Sequence, residues 1–434
     1  MSFDPLLSLY ALPLFAVWVV YCGRRKRAEW RSVTKREAAA EAGLTEPPTL
    51  HPQIDADRCI GCGACVRACP EGDILGLIDG KAELIAPSDC IGHGACRAAC
   101  PSDAIRLVFG TERRGVDIPH VGADFQTNVP GVFIAGELGG MGLIRNAIEQ
   151  GRQAIDAVRA LGGPGERNVY DVVIVGGGPA GFSASLAALE HRLRFVTIEQ
   201  ETFGGTVAHY PRGKLVMTAP ATLPLIGTVK FREISKEKLL AFWRDAAERA
   251  GLRINYAERV ESVTRNGGGL EVRTTRARYR TRAVLLAIGR RGTPRRLGVP
   301  GEDLPKVVYR LVDPRQYRGQ RVLVVGGGDS ALEAAADVAA EPGTTVTLSH
   351  RGAAFARARL ENRERVSAAE SAGRLRLMMP SEVKRIGADA VELTHGGRRT
   401  AIRNDRVIVC AGGVLPTAFL ESIGIEVETK YGTA

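Results

Sequence analysis

Nine cysteines hold most of the redox chemistry open to this sequence, and seven of them fall in two short runs. The first run is Cys59-Ile-Gly-Cys62-Gly-Ala-Cys65-Val-Arg-Ala-Cys69-Pro70. It reads C-x2-C-x2-C-x3-C-P, the spacing of an iron–sulfur ligand loop. A tight, glycine-permitted turn lets thiolates at that spacing point inward onto one iron–sulfur cube. The second run, Cys90-Ile-Gly-His93-Gly-Ala-Cys96-Arg-Ala-Ala-Cys100-Pro101, repeats the pattern with His93 in the second ligand position. A structural zinc site competes for the first run, but zinc sites rarely use four cysteines so close together and followed by proline. Clustering of this kind, rather than scattered pairs, points to a reducing compartment. Cys22 and Cys410 stand alone and read as packing residues.

Two glycine-rich turns carry a second kind of chemistry. Residues 170–175 form a buried-strand pattern that runs into Gly176-Gly177-Gly178-Pro179-Ala180-Gly181 and a small-residue helix. Glu199 ends the next strand, 23 residues beyond Gly176. This is the dinucleotide fingerprint in its proper context. Gly176 permits the turn, Gly178 lets the backbone approach a pyrophosphate, Gly181 lets helix and strand pack, and Glu199 meets a ribose hydroxyl. The helix N-terminus stabilises the phosphate charge. Residues 321–325 open a second fingerprint with Gly326, Gly328 and Ala331. The following strand ends in Ser349-His350-Arg351 rather than an acid. An arginine there can meet the 2′-phosphate of NADP, so Arg351 with Arg357 points to NADPH; the competing reading is plain surface charge.

Each cysteine run is followed by a proline and a short apolar segment, an internal duplication over residues 51–110. This unit resembles the bacterial two-cluster ferredoxins. The resemblance implies crossed ligation, with Cys59, Cys62, Cys65 and Cys100 on one cluster. Cys69, Cys90, Cys96 and His93 would then serve the other. The first would be [4Fe-4S] and the second [4Fe-4S] or [3Fe-4S]. His93 can ligate iron through a ring nitrogen and raise the potential. Alternatively it does not bind, and the site holds a three-iron cluster or a four-iron cluster with an exogenous ligand.

Residues 116–434 resemble the two-dinucleotide-domain flavoproteins, such as thioredoxin reductase. The resemblance makes the first fingerprint an FAD site, with Phe203-Gly204-Gly205-Thr206 wrapped near the isoalloxazine. Thr127-Asn128-Val129-Pro130-Gly131-Val132-Phe133-Ile134-Ala135-Gly136-Glu137 and the helix after it resemble the segment that ends such chains and binds flavin, here through Gly136 and Glu137. In this chain that segment precedes the first fingerprint, whereas residues 406–417 return towards the flavin domain and the chain then stops. The order implies a circular permutation, cut between about 432 and 116 and rejoined by a turn near 162–168. Arg212 and Lys214 read as solvated.

An apolar run at residues 6–22 precedes Arg24-Arg25-Lys26-Arg27. It is at the short end for a bilayer span and, with the basic cluster after it, is no cleavable signal. It implies a single-pass anchor in the inner (cytoplasmic) membrane with the remainder in the cytoplasm. Residues 35–43 read as a short helix and residues 45–48 as a stiff linker. The expected fold is α/β, with FAD and NADPH Rossmann-like domains, a small α+β ferredoxin domain and one transmembrane helix. The boundaries are 1–23 anchor, 24–50 linker, 51–110 ferredoxin unit, 111–163 displaced FAD segment, 169–296 FAD domain, 297–412 NAD(P)H domain and 413–434 return segment.

A net charge of +11 without a basic motif interleaved with aromatics excludes nucleic acid as a partner. The expected activity is a membrane-anchored, FAD-dependent NAD(P)H oxidoreductase that passes electrons among NADPH, FAD and two iron–sulfur clusters, to a protein or a membrane quinone. The reverse direction, from reduced ferredoxin to NADP, stays open. So do a thioredoxin-reductase-like small-disulfide reductase and a non-catalytic redox sensor, and a homodimer is not excluded. No C-x-x-C lies in the nucleotide domains, which argues against the disulfide reading.

Overall fold

The computed structural model describes residues 5–47, 50–90, 92–112, 115–140, 142–162, 168–217, 220–231, 234–290, 293–356 and 358–433. The chain divides into two units. One comprises Met1–Thr111 with Ala354–Arg359 and Gly432–Ala434; the other holds Glu112–Ala353 and Leu360–Tyr431.

In the first unit one helix runs without a break over Pro5–Glu41. The helix continues past the expected anchor boundary at residue 23, and the short helix expected at 35–43 is part of it rather than separate. Alanine, glutamate, lysine and arginine, which dominate residues 24–41, are strong helix formers and carry the helix onward. The expected transmembrane span is not reproduced either: no described helix is long and apolar enough to cross a membrane. The run of about 17 residues, interrupted by Ser8 and Pro13, rises about 26 Å against a hydrocarbon core of about 30 Å. The side chains of residues 6–12 lie outside the described set, as does Pro48 of the expected linker. The C-terminal part of the helix is tied to the hairpin Leu75–Ile78 and Lys81–Leu84. Arg36 pairs with Glu83 at 2.7 Å, and Glu29 accepts from the Asp79 amide at 2.7 Å.

The rest of this unit has approximate two-fold repetition. Two short helices, Ala64–Ala68 and Ala95–Ala98, each follow a left-handed glycine, Gly63 and Gly94. His51–Ile54 pairs antiparallel with Ile105–Val108. Leu75, Ala82, Ala104 and Ile105 bury themselves against Cys59, Cys65 and Cys96. The core of this small unit is therefore made partly of cysteine.

The second unit holds two sheets of parallel character. In the first, Tyr170–Val175 lies between Phe195–Ile198 and Arg278–Leu286, all parallel. Antiparallel strands Gly269–Thr274 and Val260–Asn266 extend the edge. Val132–Ile134 also joins Arg278–Leu286 in parallel, with Val284 opposite Val132 and Leu286 opposite Ile134. The helices Ile144–Ala160 and Pro179–Glu190 bury Ala154, Ile155, Ala184 and Ala187 with Val172, Ile174 and Leu285 of the sheet. Gly151 makes that helix contact possible, since a Cβ there would stand 2.1 Å from the Ala180 carbonyl oxygen. The strand Val132–Ile134 is thus an integral part of this sheet. Val427–Lys430 pairs antiparallel with Val116–Pro119.

The second sheet has five parallel strands, in the order Val307–Val308, Arg406–Val409, Arg321–Val325, Thr345–Ser349 and Leu375–Met378. Near-continuous apolar strands such as Arg406–Val409 suit a sheet covered on both faces. Helix Asp329–Ala339 follows the central strand. Ligands of such sheets bind beyond the carboxyl ends of the strands, where both glycine turns sit.

Candidate functional site

The cysteine runs close around two small cavities. One is lined by Cys59, Cys62, Cys65 and Cys100. The other is lined by Cys69, Cys90, His93 and Cys96. Each cavity therefore takes three residues from one run and its fourth from the other. Among the described residues no three Cys, His, Asp or Glu side chains group so as to hold a single metal ion. The sulfurs are spread around a cavity instead, as a multi-iron cluster requires.

Glycine makes these loops possible. A Cβ at Gly61 would stand 2.0 Å from the Gly80 carbonyl oxygen, and one at Gly92 would stand 2.4 Å from that of Leu50. Burial pushes the thiols of Cys65, Cys69 and Cys96 up, and that of Cys90 up to about 11. Buried thiolates need a compensating cation, which cluster iron would supply. At Cys100 burial is outweighed by donors, including the Ala104 amide at 3.3 Å from Sγ, and the thiol is lowered. The Ala82 amide likewise meets the sulfur of Cys59 at 3.4 Å. Both donor sets fit iron–sulfur clusters.

At the first glycine turn, Gly176 has φ 112° and backs onto the Ala287 carbonyl oxygen, 2.5 Å from where a Cβ would lie. A Cβ at Gly181 would stand 1.8 Å from the Gly176 carbonyl oxygen. Gly178 is open, with only Gly205 Cα at 3.8 Å from its Cβ direction, so the cradle fits a pyrophosphate at the N-terminus of Pro179–Glu190. Glu199 is buried, and its carboxylate accepts from the amides of Gly177 at 2.6 Å and Glu201 at 2.9 Å. Gly204 donates to the Gly177 carbonyl at 3.0 Å, which brings Gly204 and Gly205 onto the turn. Gly136 lies against Ala180, its amide donating to Gln150 at 2.8 Å, and Glu137 reaches the vicinity of Gly289.

Two features of this region escaped the sequence reading. Arg290 donates to the Asp117 carbonyl at 2.9 Å, and burial lowers its guanidinium while Glu137 and Asp117 oppose the shift. Its only sequence signal is an arginine directly after Gly289. Lys214, expected to be solvated, instead pairs with Glu333 at 2.6 Å and sits over the Tyr210 ring at 4.9 Å. Arg212 meets Asp313 at 3.7 Å. Both acids lie more than 100 residues away along the chain, so nothing local announced them.

At the second turn, Gly326 has φ 149° and backs onto the Cys410 carbonyl oxygen at 2.4 Å from a Cβ. Gly328 again has open space, and Ala331 is fully buried. The His350 ring lies on Gly327, and Arg351 is exposed at the end of Thr345–Ser349. Arg357 lies outside the described residues.

Two dinucleotide turns on parallel sheets, with a unit of two cysteine-lined cavities, define a class of pyridine-nucleotide flavoprotein carrying iron–sulfur centres. The model of the pyridine nucleotide-disulphide oxidoreductase family matches residues 173–433, and that of the 4Fe-4S dicluster domain matches residues 51–101. The chain belongs to the pyridine nucleotide-disulphide oxidoreductase family and is an FAD-dependent NAD(P)H oxidoreductase with an iron–sulfur domain. It is 30% identical to a ferredoxin--NADP reductase of Ignicoccus hospitalis, over 60% of this chain and 83% of the relative. It is 28% identical to the bacilliredoxin reductase Bdr of Bacillus subtilis, over 60% and 82%. Among solved structures it resembles the bacillithiol disulfide reductase Bdr of Staphylococcus aureus. That match has a TM-score of 0.53 and 25% identity, and covers 59% of this chain and 80% of the other.

Proposed function

We propose that this chain relays electrons between NADPH, FAD and its own two iron–sulfur clusters, and exchanges them with a protein partner. The observation that carries the reading is the sorting of the clustered cysteines and His93 into two four-residue cavities. It leaves Cys410 as the one cysteine of the nucleotide-binding region. A dithiol reductase needs a second cysteine there. Bound flavin supplies exchange of electrons singly or in pairs, which is what joins a hydride donor to one-electron centres.

The chain's residues bind and orient. Gly176, Gly178 and Gly181 hold the FAD pyrophosphate at the helix N-terminus, and Glu199, already aligned by two amides, accepts from the ribose. Gly204, Gly205, Gly136 and Glu137 complete the flavin side. Gly326, Gly328 and Ala331 cradle NADPH, and Arg351 meets its 2′-phosphate; Arg357, the second arginine read for that role, lies outside the described residues. Cys59, Cys62, Cys65 and Cys100 hold one cluster of the [4Fe-4S] type, and Cys69, Cys90 and Cys96 hold the other.

The ferredoxin--NADP reductase relative favours flow from an external reduced ferredoxin to NADP as the working direction. The Bdr relatives keep a flavin-only small-disulfide reductase as the second reading. We also read the chain as circularly permuted. Its support is that residues 116–161 complete the first sheet, pair with Val427–Lys430, and precede the region matched by the family model. The expected junction at 162–168 lies mostly outside the described residues. Exposed Leu14, Phe15, Val17 and Trp18 ahead of the basic cluster support attachment at the cytoplasmic face of a membrane.

Anaerobic titration with NADPH and, separately, NADH tests the relay. NADPH should bleach the flavin absorbance and then change the electron paramagnetic resonance of the clusters from that of their oxidised to that of their reduced states. A flavin untouched by either nucleotide ends the proposal. A bleached flavin with clusters that stay oxidised, in a protein that turns over bacillithiol disulfide, selects the second reading.

A further inference from the structure

The two cavities differ at one position, and the structure shows what its occupant does. Ala95 opens the short helix Ala95–Ala98, and its amide belongs to the first turn, where no helical carbonyl is in reach. That amide donates to Nδ1 of His93 at 3.2 Å. A nitrogen that accepts carries no proton, so the neutral ring holds its proton on Nε2. Nε2 faces Cys69 Sγ at 3.7 Å. A ligand to iron must offer a lone pair. If Nε2 offered one, the proton would move to Nδ1 and two donors, the Ala95 amide and Nδ1–H, would face each other. If Nδ1 offered one, iron would displace the Ala95 amide from its acceptor.

We propose that His93 does not ligate the second cluster but donates its Nε2–H to the sulfur of Cys69, so that three thiolates, Cys69, Cys90 and Cys96, hold a three-iron cluster. The inference rests on the reading of this cavity as a cluster site. His93 is then a positioning residue acting through Cys69. A hydrogen bond to a ligand sulfur stabilises the more negative, reduced cluster and raises its potential. The same chemistry serves the other cavity through backbone amides at Cys59 and Cys100.

The test uses the full-length holoprotein. Iron and sulfide content with electron paramagnetic resonance of the oxidised protein should show a three-iron signal alongside a four-iron cluster. Labelling histidine with nitrogen-15 and measuring its hyperfine coupling to that signal should give only the weak coupling of a hydrogen-bonded nitrogen. His93→Ala should retain the three-iron signal and shift its midpoint potential downward, and His93→Asn, which keeps an N–H, should restore part of the shift. His93→Cys should replace the signal with that of a second four-iron cluster. A strong coupling from directly bonded histidine nitrogen, or an oxidised protein with no three-iron signal and iron for two four-iron clusters, overturns the inference and leaves the relay intact. Iron for one cluster alone overturns the two-cluster reading with it. The labelling experiment decides the matter on the unaltered protein even where the variants fail to fold.

Discussion

The two glycine turns are built alike up to the point where they meet a ribose. In both, the first glycine has positive φ and leans on the carbonyl of a neighbouring strand's end, Ala287 for Gly176 and Cys410 for Gly326. In both, the third glycine is open to a ligand. They part at the sixth position and at the end of the second strand. Gly181 is pressed against the turn so closely that no side chain fits, whereas Ala331 carries its methyl group into full burial. Glu199 is a buried acid tied by two amides, while Arg351 is an exposed base beside a histidine that covers Gly327. A preassembled acceptor held by backbone amides suits ribose hydroxyls and a tightly held cofactor. An exposed cation suits a phosphate that arrives and leaves.

The comparison breaks most visibly at the glycines. Gly181→Leu drives a side chain into the Gly176 carbonyl, which no rotamer relieves. Purified protein should lose most of its flavin, given overpacking costs of about 1–3 kcal/mol at such a contact. Gly326→Val forces both a positive φ and a backbone collision, yet should leave the flavin content unchanged while abolishing its reduction by NADPH. A colourless Gly326→Val beside a yellow Gly181→Leu would reverse the assignment of the two turns. Next in size, Arg351→Ala should raise the KM for NADPH about tenfold, the loss of one charged hydrogen bond of about 1.5 kcal/mol, and leave that for NADH unchanged. Equal effects on the two nucleotides would reduce Arg351 to surface charge.

What could be read from the chain alone follows from how local each feature is. The cysteine runs and glycine turns were visible because their chemistry lies within a dozen residues, and a strand before and a helix after each turn make the fingerprint specific. The strand at 132–134 was legible from its own apolar residues, but its place beside Arg278–Leu286 was not, because about 150 residues separate the two along the chain. Lys214 with Glu333, and Arg290 beside Glu137, were not legible, because each pair is joined only by the folded sheet. The N-terminal helix misled through composition. Its apolar run has the look of a span, but no described helix is long and apolar enough to cross a membrane, and Glu29 and Arg36 bind its continuation to the cluster unit.

The smallest predicted effect sharpens the comparison at the opposite ends of the two sheets. Where the strand leading into each glycine turn begins, a carboxylate clasps an arginine: Asp171 with Arg282 at 3.0 Å, and Asp405 with Arg321 at 2.7 Å. Asp405 also accepts from the Arg321 amide at 2.7 Å, binding the starts of two neighbouring strands. The Arg321 side chain, then its amide, hold the Asp405 carboxyl at about 2, below its ordinary 3.8. A depressed carboxyl stabilises the fold above its unfolded pKa and loses that contribution as pH falls towards the folded one. The window is therefore about pH 4 down to about 2. The pair is more than a third exposed, so screening limits it to less than about 1 kcal/mol. Asp405→Asn should lower the thermal midpoint slightly at pH 7 and match the unaltered protein near pH 2. A difference that persists undiminished at pH 2 would show that the amide contact, and not the charge, holds these strands together.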